Sequence, residues 1–294
     1  MKSPKPGHWP ASVAALLLVT GFLTACDALA PVEEITFENP IDPSGSEFVP
    51  PTTTITGGPS DGSTVTTNSA TFDWTGNKSD TRFRYRMSGG EWAGTGWSPW
   101  GTQQSYTMDF LDELSYSFEV QAGYANDPGD PTEVDDTPES RDFTVNAVTG
   151  PALRLSPTRI HSPNNTTFDL QIIAEDVTDL TMSKITIRFN SGMLQYADSY
   201  SYGTFLTSNG GSVQYFDPVI DNVSGLLEFN FGIAGGSTAG VSGTGMILTI
   251  SFRGTSTGTT DVTFGAANTL LRNDDNNPIT ITPSDLYGAR VIIQ

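Results

Sequence analysis

Histidine and cysteine are almost absent from this 294-residue chain, which holds two histidines, His8 and His161, and one cysteine, Cys26. Ser-His-Asp and Cys-His catalysis and Cys/His zinc sites each need such residues in company, so these chemistries have almost nothing to draw on. Positive charge is scarce as well. Only 14 Lys and Arg stand against 33 Asp and Glu, a net charge of −19, and no basic patch interrupts the acidic background. Nucleic acid is therefore excluded as a partner, because phosphate backbones are held by clustered Lys and Arg. No stretch sustains helical hydrophobic periodicity and no internal repeat joins the halves, which sets aside helical bundles, coiled coils and solenoids. What is abundant is glycine (30) and proline (19) among many Thr, Ser and Asn, with 36% hydrophobic and 10% aromatic residues. That is the balance of a secreted all-β protein with real cores, at a length that suits two domains.

The N-terminus fixes an expectation for the compartment. Lys2 and Lys5 precede an apolar run from Val13 to Leu23, too short for a spanning helix and of the length of a signal-peptide core. Residues 1–25 are read as a signal peptide. The Leu23-Thr24-Ala25-Cys26 that closes it resembles the lipobox of bacterial lipoproteins. The resemblance implies that Cys26 receives a diacylglycerol and becomes the first residue. Two or three acyl chains hold a protein firmly to a bilayer where one holds only marginally. The implied location is the bacterial cell envelope: the outer membrane or cell surface, or the periplasmic face of the inner membrane. Asp27 resembles the inner-membrane retention signal of enteric bacteria, and the two membranes both stay open. Removal of the leader leaves 12 basic against 33 acidic residues.

Residues 26–50 carry Asp27, Glu33, Glu34, Glu38, Asp42 and Glu47, no Lys or Arg, and Pro31, Pro40, Pro43 and Pro50. Such a segment repels itself and reads as an extended tether. Residues 51–148 show short β-rich runs, Ala70 to Trp74, Arg82 to Met87, Tyr116 to Ala122 and Asp142 to Val145, separated by Gly, Pro, Asn and Asp clusters. This is the punctuation of a β-sandwich. The segments Thr71-Phe72-Asp73-Trp74, Phe83 to Trp92, Trp97-Ser98-Pro99-Trp100, Tyr116 to Val120 and Arg141 to Val145 resemble a fibronectin type III or immunoglobulin-like module.

Residues 149–294 form a second β-rich unit, with runs at Ala152 to Leu155, Thr167 to Ile173, Ser183 to Asn190, Gly211 to Phe216, Leu226 to Phe231, Gly245 to Phe252, Thr260 to Phe264 and Ala289 to Ile293. Eight or nine strands fit a jelly-roll-like sandwich. The order of Thr167 to Val177, Ile185 to Tyr196, Leu226 to Gly232 and Gly243 to Arg253 resembles a cohesin domain, a nine-stranded jelly roll. That resemblance implies a non-enzymatic receptor that binds a dockerin-bearing protein through one sheet face, in the setting of polysaccharide degradation. The strand over Ser183 to Asn190 presents Lys184 and Arg188 where the best-known cohesins carry acidic or amide side chains, and Asn190-Ser191-Gly192 stands in place of their D-P-x turn.

Alternation gives the same faces without the family. Ile185, Ile187 and Phe189 point one way and Lys184, Thr186 and Arg188 the other; Leu227, Phe229 and Phe231 alternate with Glu228 and Asn230. Lys184, Thr186, Arg188, Glu228 and Asn230 are thus the candidate partner-binding face. They also read as ordinary solvated strand residues, with Lys184 pairing Glu228. Trp92, Trp97 and Trp100, near Tyr106, form the densest aromatic cluster. It is a sugar platform if exposed and coplanar, and structural if stacked against Arg84 and Arg86. Asp274-Asp275-Asn276-Asn277 lacks the spacing of a calcium loop and reads as a turn. Asp127, Asp130, Glu133, Asp135 and Asp136 raise the same question with weaker geometry. His161 reads as an incidental loop residue. Two sandwiches and a tether leave no room for a further catalytic domain, and no cofactor is implied. The expected function is a lipid-anchored envelope receptor; a carbohydrate-binding protein and a structural spacer are the alternatives.

Overall fold

The computed structural model describes residues 39–125, 130–234 and 240–294. The signal stretch, Cys26, Asp27, most of the tether and Asp127 lie outside them. The chain divides into two compact units, Met1–Val49 and Pro50–Gln294. The described part of the first runs through tight turns, in which the Asp42 carboxylate accepts from the Ser44 amide at 2.9 Å and hydroxyl at 2.7 Å.

The second unit is all-β and contains two sandwiches in tandem. In the first, β1 (Thr53–Gly57), β3 (Ser69–Gly76) and β5 (Ser105–Asp109) face β2 (Ser63–Val65), β7 (Glu139–Val145), β6 (Ser115–Tyr124) and β4 (Thr81–Ser88). Alternation along β3 sends Ala70, Phe72 and Trp74 inward. There Phe72 stacks on Phe118 of β6 at 4.1 Å, and Trp74 lies 5.7 Å from the same ring. All four expected runs fall inside β3, β4, β6 and β7. The strands without a sequence signal are β1, β2 and β5, because β5 buries Met108 alone and β2 buries nothing fully. Asp135, one of the acids considered as a cation ligand, is buried and pins the sandwich instead. Its Oδ2 accepts from the Thr53 amide and hydroxyl, each at 2.8 Å.

At the turn into β6 the Tyr116 hydroxyl accepts from the Asp112 amide at 2.7 Å, a tyrosine corner of the kind found in immunoglobulin-type sandwiches. Tyr116→Phe leaves a buried amide without a partner. It is expected to cost about 1–3 kcal/mol, read as a fall of several degrees in Tm; an unchanged Tm would show that the corner contributes nothing.

The second sandwich comprises β8 (Ala152–Ser156), β9 (Arg159–Ser162), β10 (Thr167–Arg188), β11 (Leu194–Tyr202), β12 (Ser212–Tyr215), β13 (Val219–Asp221), β14 (Leu226–Ala234), β15 (Val241–Gly254), β16 (Gly258–Phe264), β17 (Leu270–Asn273), β18 (Pro278–Ile279), β19 (Leu286–Tyr287) and β20 (Ala289–Ile293). β10 organises it. Its first half pairs with β15 and β8, its second half with β14 and β17. Two separate runs, Thr167 to Ile173 and Ser183 to Asn190, are expected from the sequence, whereas one 22-residue strand is found. The join is made by register shifts around Val177 and by Asp176 and Asp179 at φ 46 and 56. Aspartate tolerates that left-handed region, so the chain bends at these two residues and strand pairing resumes on either side of them. Leu170 and Ile172 of the first half, and Ile185 and Ile187 of the second, fill the space between the sheets with Phe229, Ile250 and Phe252, all fully buried. Asp274 to Asn277 form the turn between β17 and β18, with the Asn273 amide donating to the Asn277 carbonyl at 3.0 Å.

Polar contacts join the sandwiches. Asp112 accepts from the Thr158 amide at 3.0 Å, Arg154 bonds Glu175 and reaches Asp112 at 4.0 Å, and the Arg290 guanidinium lies 4.1 Å from the centre of the Phe110 ring. His161 is not in a loop but on β9, paired in parallel with Ile292 of β20. The polar Arg159-Ile160-His161-Ser162 run buries Ile160 and Ser162, a pattern too short to stand out in the sequence.

Candidate partner-binding face

On the second half of β10, the inward Ile185 and Ile187 alternate with Met182, Lys184, Thr186 and Arg188, and on β14 the inward Leu227, Phe229 and Phe231 alternate with Glu228, Asn230 and Gly232. Antiparallel register lays these outward positions in rows. Met182 stands opposite Gly232, Lys184 opposite Asn230 and Thr186 opposite Glu228. On the other flank of β10, Leu270 stands opposite Lys184 and Arg272 opposite Met182. Beyond β14, the Phe216 amide donates to the Asn230 carbonyl at 3.1 Å and Val219 faces Glu228. Between the rows lies a depression of about 420 Å³ lined by Met182, Lys184, Phe216, Asn230, Leu270 and Arg272, with Ser183 and Phe231. Its apolar members are open to solvent: Met182 is 48% exposed, Phe216 55% and Leu270 37%.

The charges are arranged around that depression. Lys184 Nζ lies 2.9 Å from Glu228 Oε2, and Asn230 Nδ2 donates to Oε1 at 3.1 Å. The hydrogen bond from Lys184 is the larger cause holding the Glu228 carboxyl below its ordinary range. Being diagonal and partly exposed, the pair contributes only a fraction of a kcal/mol, ~0.5. Arg272 donates to the Asn276 carbonyl at 2.6 Å, and Arg188 makes no ion pair among the described residues.

Four of the five residues expected on this face, Lys184, Arg188, Glu228 and Asn230, share it. Thr186 is a correction. It is 1% exposed, because the 265–269 segment lies over it: its hydroxyl donates to the Asn268 carbonyl at 3.2 Å and its amide to Thr269 Oγ1 at 3.3 Å. Met182 has the same strand parity as Lys184 and was within reach of the alternation argument. Leu270 and Arg272 were not, because β17 is four residues long and reaches the face only through register, while Phe216 closes the expected Gly211 to Phe216 run but lies just past the end of β12.

The tryptophans do not form one exposed, coplanar platform. Trp92 is buried, edge-on to Tyr116 at 6.0 Å. The Arg84 guanidinium lies 4.9 Å from Trp97 and 4.7 Å from Trp100, and Arg86 stands 4.5 Å over Trp97. Alternate β4 residues reach this loop, so the cations that flank the cluster in sequence occupy ring faces a sugar would need. Among the described residues no group of three or more His, Cys, Asp or Glu is placed to hold a metal ion.

No protein-family model matches the chain, and no curated protein does. Solved structures do. The chain is similar to cohesin modules. The Coh-OlpA-Doc918 cohesin–dockerin complex from Clostridium thermocellum matches at 13% identity over 49% of this chain and 99% of that one, with a TM-score of 0.39. CaCohA2 from Clostridium acetobutylicum matches at 12% identity over 49% and 91%, TM-score 0.40. The second type II cohesin of the adaptor ScaA scaffoldin of Acetivibrio cellulolyticus matches at 16% identity over 45% and 84%, TM-score 0.38.

A second group of charges sits where the sandwiches meet. Glu91 Oε1 lies 3.0 Å from Arg159 Nε, although the N–H is not aimed at the carboxylate, and Oε2 lies 3.9 Å from His161 Nδ1. Burial pushes the Glu91 carboxyl up to about 7, against the pull of Arg159 and helped by Asp112. A carboxyl raised by folding contributes stability that is complete below its unfolded value and is lost as pH rises through the folded one. Asp112, raised chiefly by burial, acts with the same sign; His161, lowered by burial and by Arg159, acts with the opposite sign and loses its contribution on acidification. Between pH 5 and 8 the wild type is therefore expected to lose on the order of 1 kcal/mol relative to Glu91→Gln, after discounting for partial exposure. Urea unfolding across that range reads the difference, and parallel pH profiles for the two proteins would contradict it.

Proposed function

We propose that the protein is a lipid-anchored receptor of the bacterial cell envelope, whose second sandwich docks a dockerin-bearing protein on the β17-β10-β14 face. The observation that carries this reading is the face itself: an open sheet surface with exposed Met182, Phe216 and Leu270 around a 420 Å³ depression, ringed by Lys184, Asn230 and Arg272. An apolar centre with a polar rim is the anatomy of a protein interface. The dockerin class of partner is what the resemblance of the Ile185 to Tyr196 and Gly243 to Arg253 segments implies. The first sandwich, with its three strands on four and its Tyr116 corner, serves as an immunoglobulin- or fibronectin-like spacer. Lipid on Cys26 and the acidic segment to Pro50 complete the anchor and tether.

Two experiments test it. Metabolic labelling with palmitate is expected to mark the wild type and not Cys26→Ser. Soluble Cys26→Ser protein lacking residues 1–25, titrated with purified dockerin-bearing proteins of the source organism with calcium and with chelator, is expected to bind one of them 1:1, and Met182→Asp to weaken that binding at least ~10-fold. Retention by polysaccharide with no dockerin bound would replace the receptor reading with a carbohydrate-binding one.

A further inference from the structure

Charge on the docking face runs against the charge of the molecule. The chain has 33 acidic and 14 basic residues, yet from Leu180 to Arg188 on β10, along β14 and along β17 the charged residues are Lys184, Arg188, Arg272 and the single acid Glu228. Glu228 is already held by Lys184 and Asn230. Arg272 is spent on a neutral carbonyl, which leaves its charge uncompensated, and Arg188 is exposed with no ion pair among the described residues. The centre of the face, at Lys184 and Arg272, is thus cationic, and Arg188 adds a charge at the end of β10, beyond the 265–269 segment that covers Thr186.

The nearest acids border the centre. Asp179 precedes Leu180 within β10 and accepts from the Asp274 amide at 3.4 Å; Asp217 follows Phe216; Asp221 is occupied by the turn it caps, accepting from the Val223 and Ser224 amides at 2.9 and 3.0 Å; Asp274 and Asp275 lie in the turn after β17. A broad polyanion would meet this acidic margin. A short acidic element reaching the centre would not.

We infer that the partner inserts an apolar side chain into the depression among Met182, Phe216 and Leu270 and sets carboxylates beside it, against Lys184, Arg188 and Arg272. This rests on the docking reading above and adds the partner's chemistry. Geometry sets the spacing. Lys184 and Arg188 are four residues apart on one strand, about 13 Å, and Arg272 lies one strand over and two residues back, about 8 Å from Lys184. Carboxylates within about four residues of the apolar anchor on an extended or turn segment match those intervals. Like-charged juxtaposition disfavours partners that present Lys or Arg there, so the face selects by repulsion as well as attraction.

The test is a selection from phage-displayed random peptides of about 12 residues, long enough to span the ~13 Å between Lys184 and Arg188. They are panned on the Cys26→Ser chain lacking residues 1–25 and counter-panned on the same chain with the uncharged Met182→Asn. Every side chain substituted in this test is solvent-accessible, and unchanged thermal unfolding confirms each variant's fold. Peptides retained by the first and lost on the second are expected to carry a Leu, Met or aromatic residue with Asp or Glu within about four positions. Their retention is expected to fall at least ~10-fold in Lys184→Gln with Arg188→Gln, and again when NaCl is raised from about 50 to about 500 mM. Groove-dependent peptides with neutral or basic flanks, indifferent to the double variant, would overturn the charge inference and leave the docking reading standing. If no retained peptide depended on Met182, docking on this face would fall together with the inference.

Discussion

Phe229→Ala is expected to destabilise the protein by about 3–5 kcal/mol, a large fraction of the roughly 5–15 kcal/mol by which a folded domain is stable. Phe229 is fully buried on β14 between the outward Glu228 and Asn230, with Tyr200 edge-on at 5.4 Å. Truncation removes its apolar contacts and leaves a cavity between the sheets that the paired strands cannot close, because β14 is hydrogen-bonded to β10 on one side and to β12 and β13 on the other. The loss falls directly beneath the docking face. A unit of this size converts each kcal/mol into about 2–4 °C, so Tm is expected to fall by roughly 10 °C. A fall of under ~2 °C, close to what a surface substitution gives, would show that the face is not supported from below in this way.

The second large effect concerns recognition rather than stability. Lys184→Glu combined with Arg188→Glu is expected to reduce partner binding by ~100-fold or more while leaving the fold intact. Both side chains are solvent-accessible, and the Lys184–Glu228 pair that the first substitution breaks is exposed enough to be worth under ~1 kcal/mol. The binding loss is larger because the substitutions reverse the face: a carboxylate introduced at position 184 would stand beside Glu228, and Arg272 would be the one remaining cation. A partner that sets carboxylates there changes from attracted to repelled, first in its association rate and then in its affinity. The folded double variant binding with unchanged affinity would remove this face from consideration.

The fold was legible where strands are amphipathic. β3, β4, β6 and β14 alternate cleanly over six or more residues, and the runs expected there fall inside the strands found. It was illegible where an element is short or contributes one buried residue, as in β2, β5 and β13, or where polar residues carry the chain through a bend. The stretch between the two expected runs holds Asp176 and Asp179, whose left-handed backbone bends β10 so that its halves pair with different strands. The same division holds for the face. Lys184, Arg188, Glu228 and Asn230 follow from parity along two strands. Thr186 has that parity and is still buried, because parity gives the direction of a side chain and says nothing of a loop laid over it. Phe216, Leu270 and Arg272 arrive through pairing between segments far apart in sequence, and strands of four residues carry no period from which to infer it.

Docking on the β17-β10-β14 face is read out by hydrogen exchange on the chain without residues 1–25, free and saturated with a purified dockerin-bearing protein of the source organism. Exchange is expected to slow in Thr181 to Arg188, Glu228 to Gly232 and Leu270 to Arg272, with no change around Trp97 and Trp100. Protection confined to the tryptophan loop or to the opposite sheet, with these three segments unaffected in the saturated complex, would contradict docking on this face.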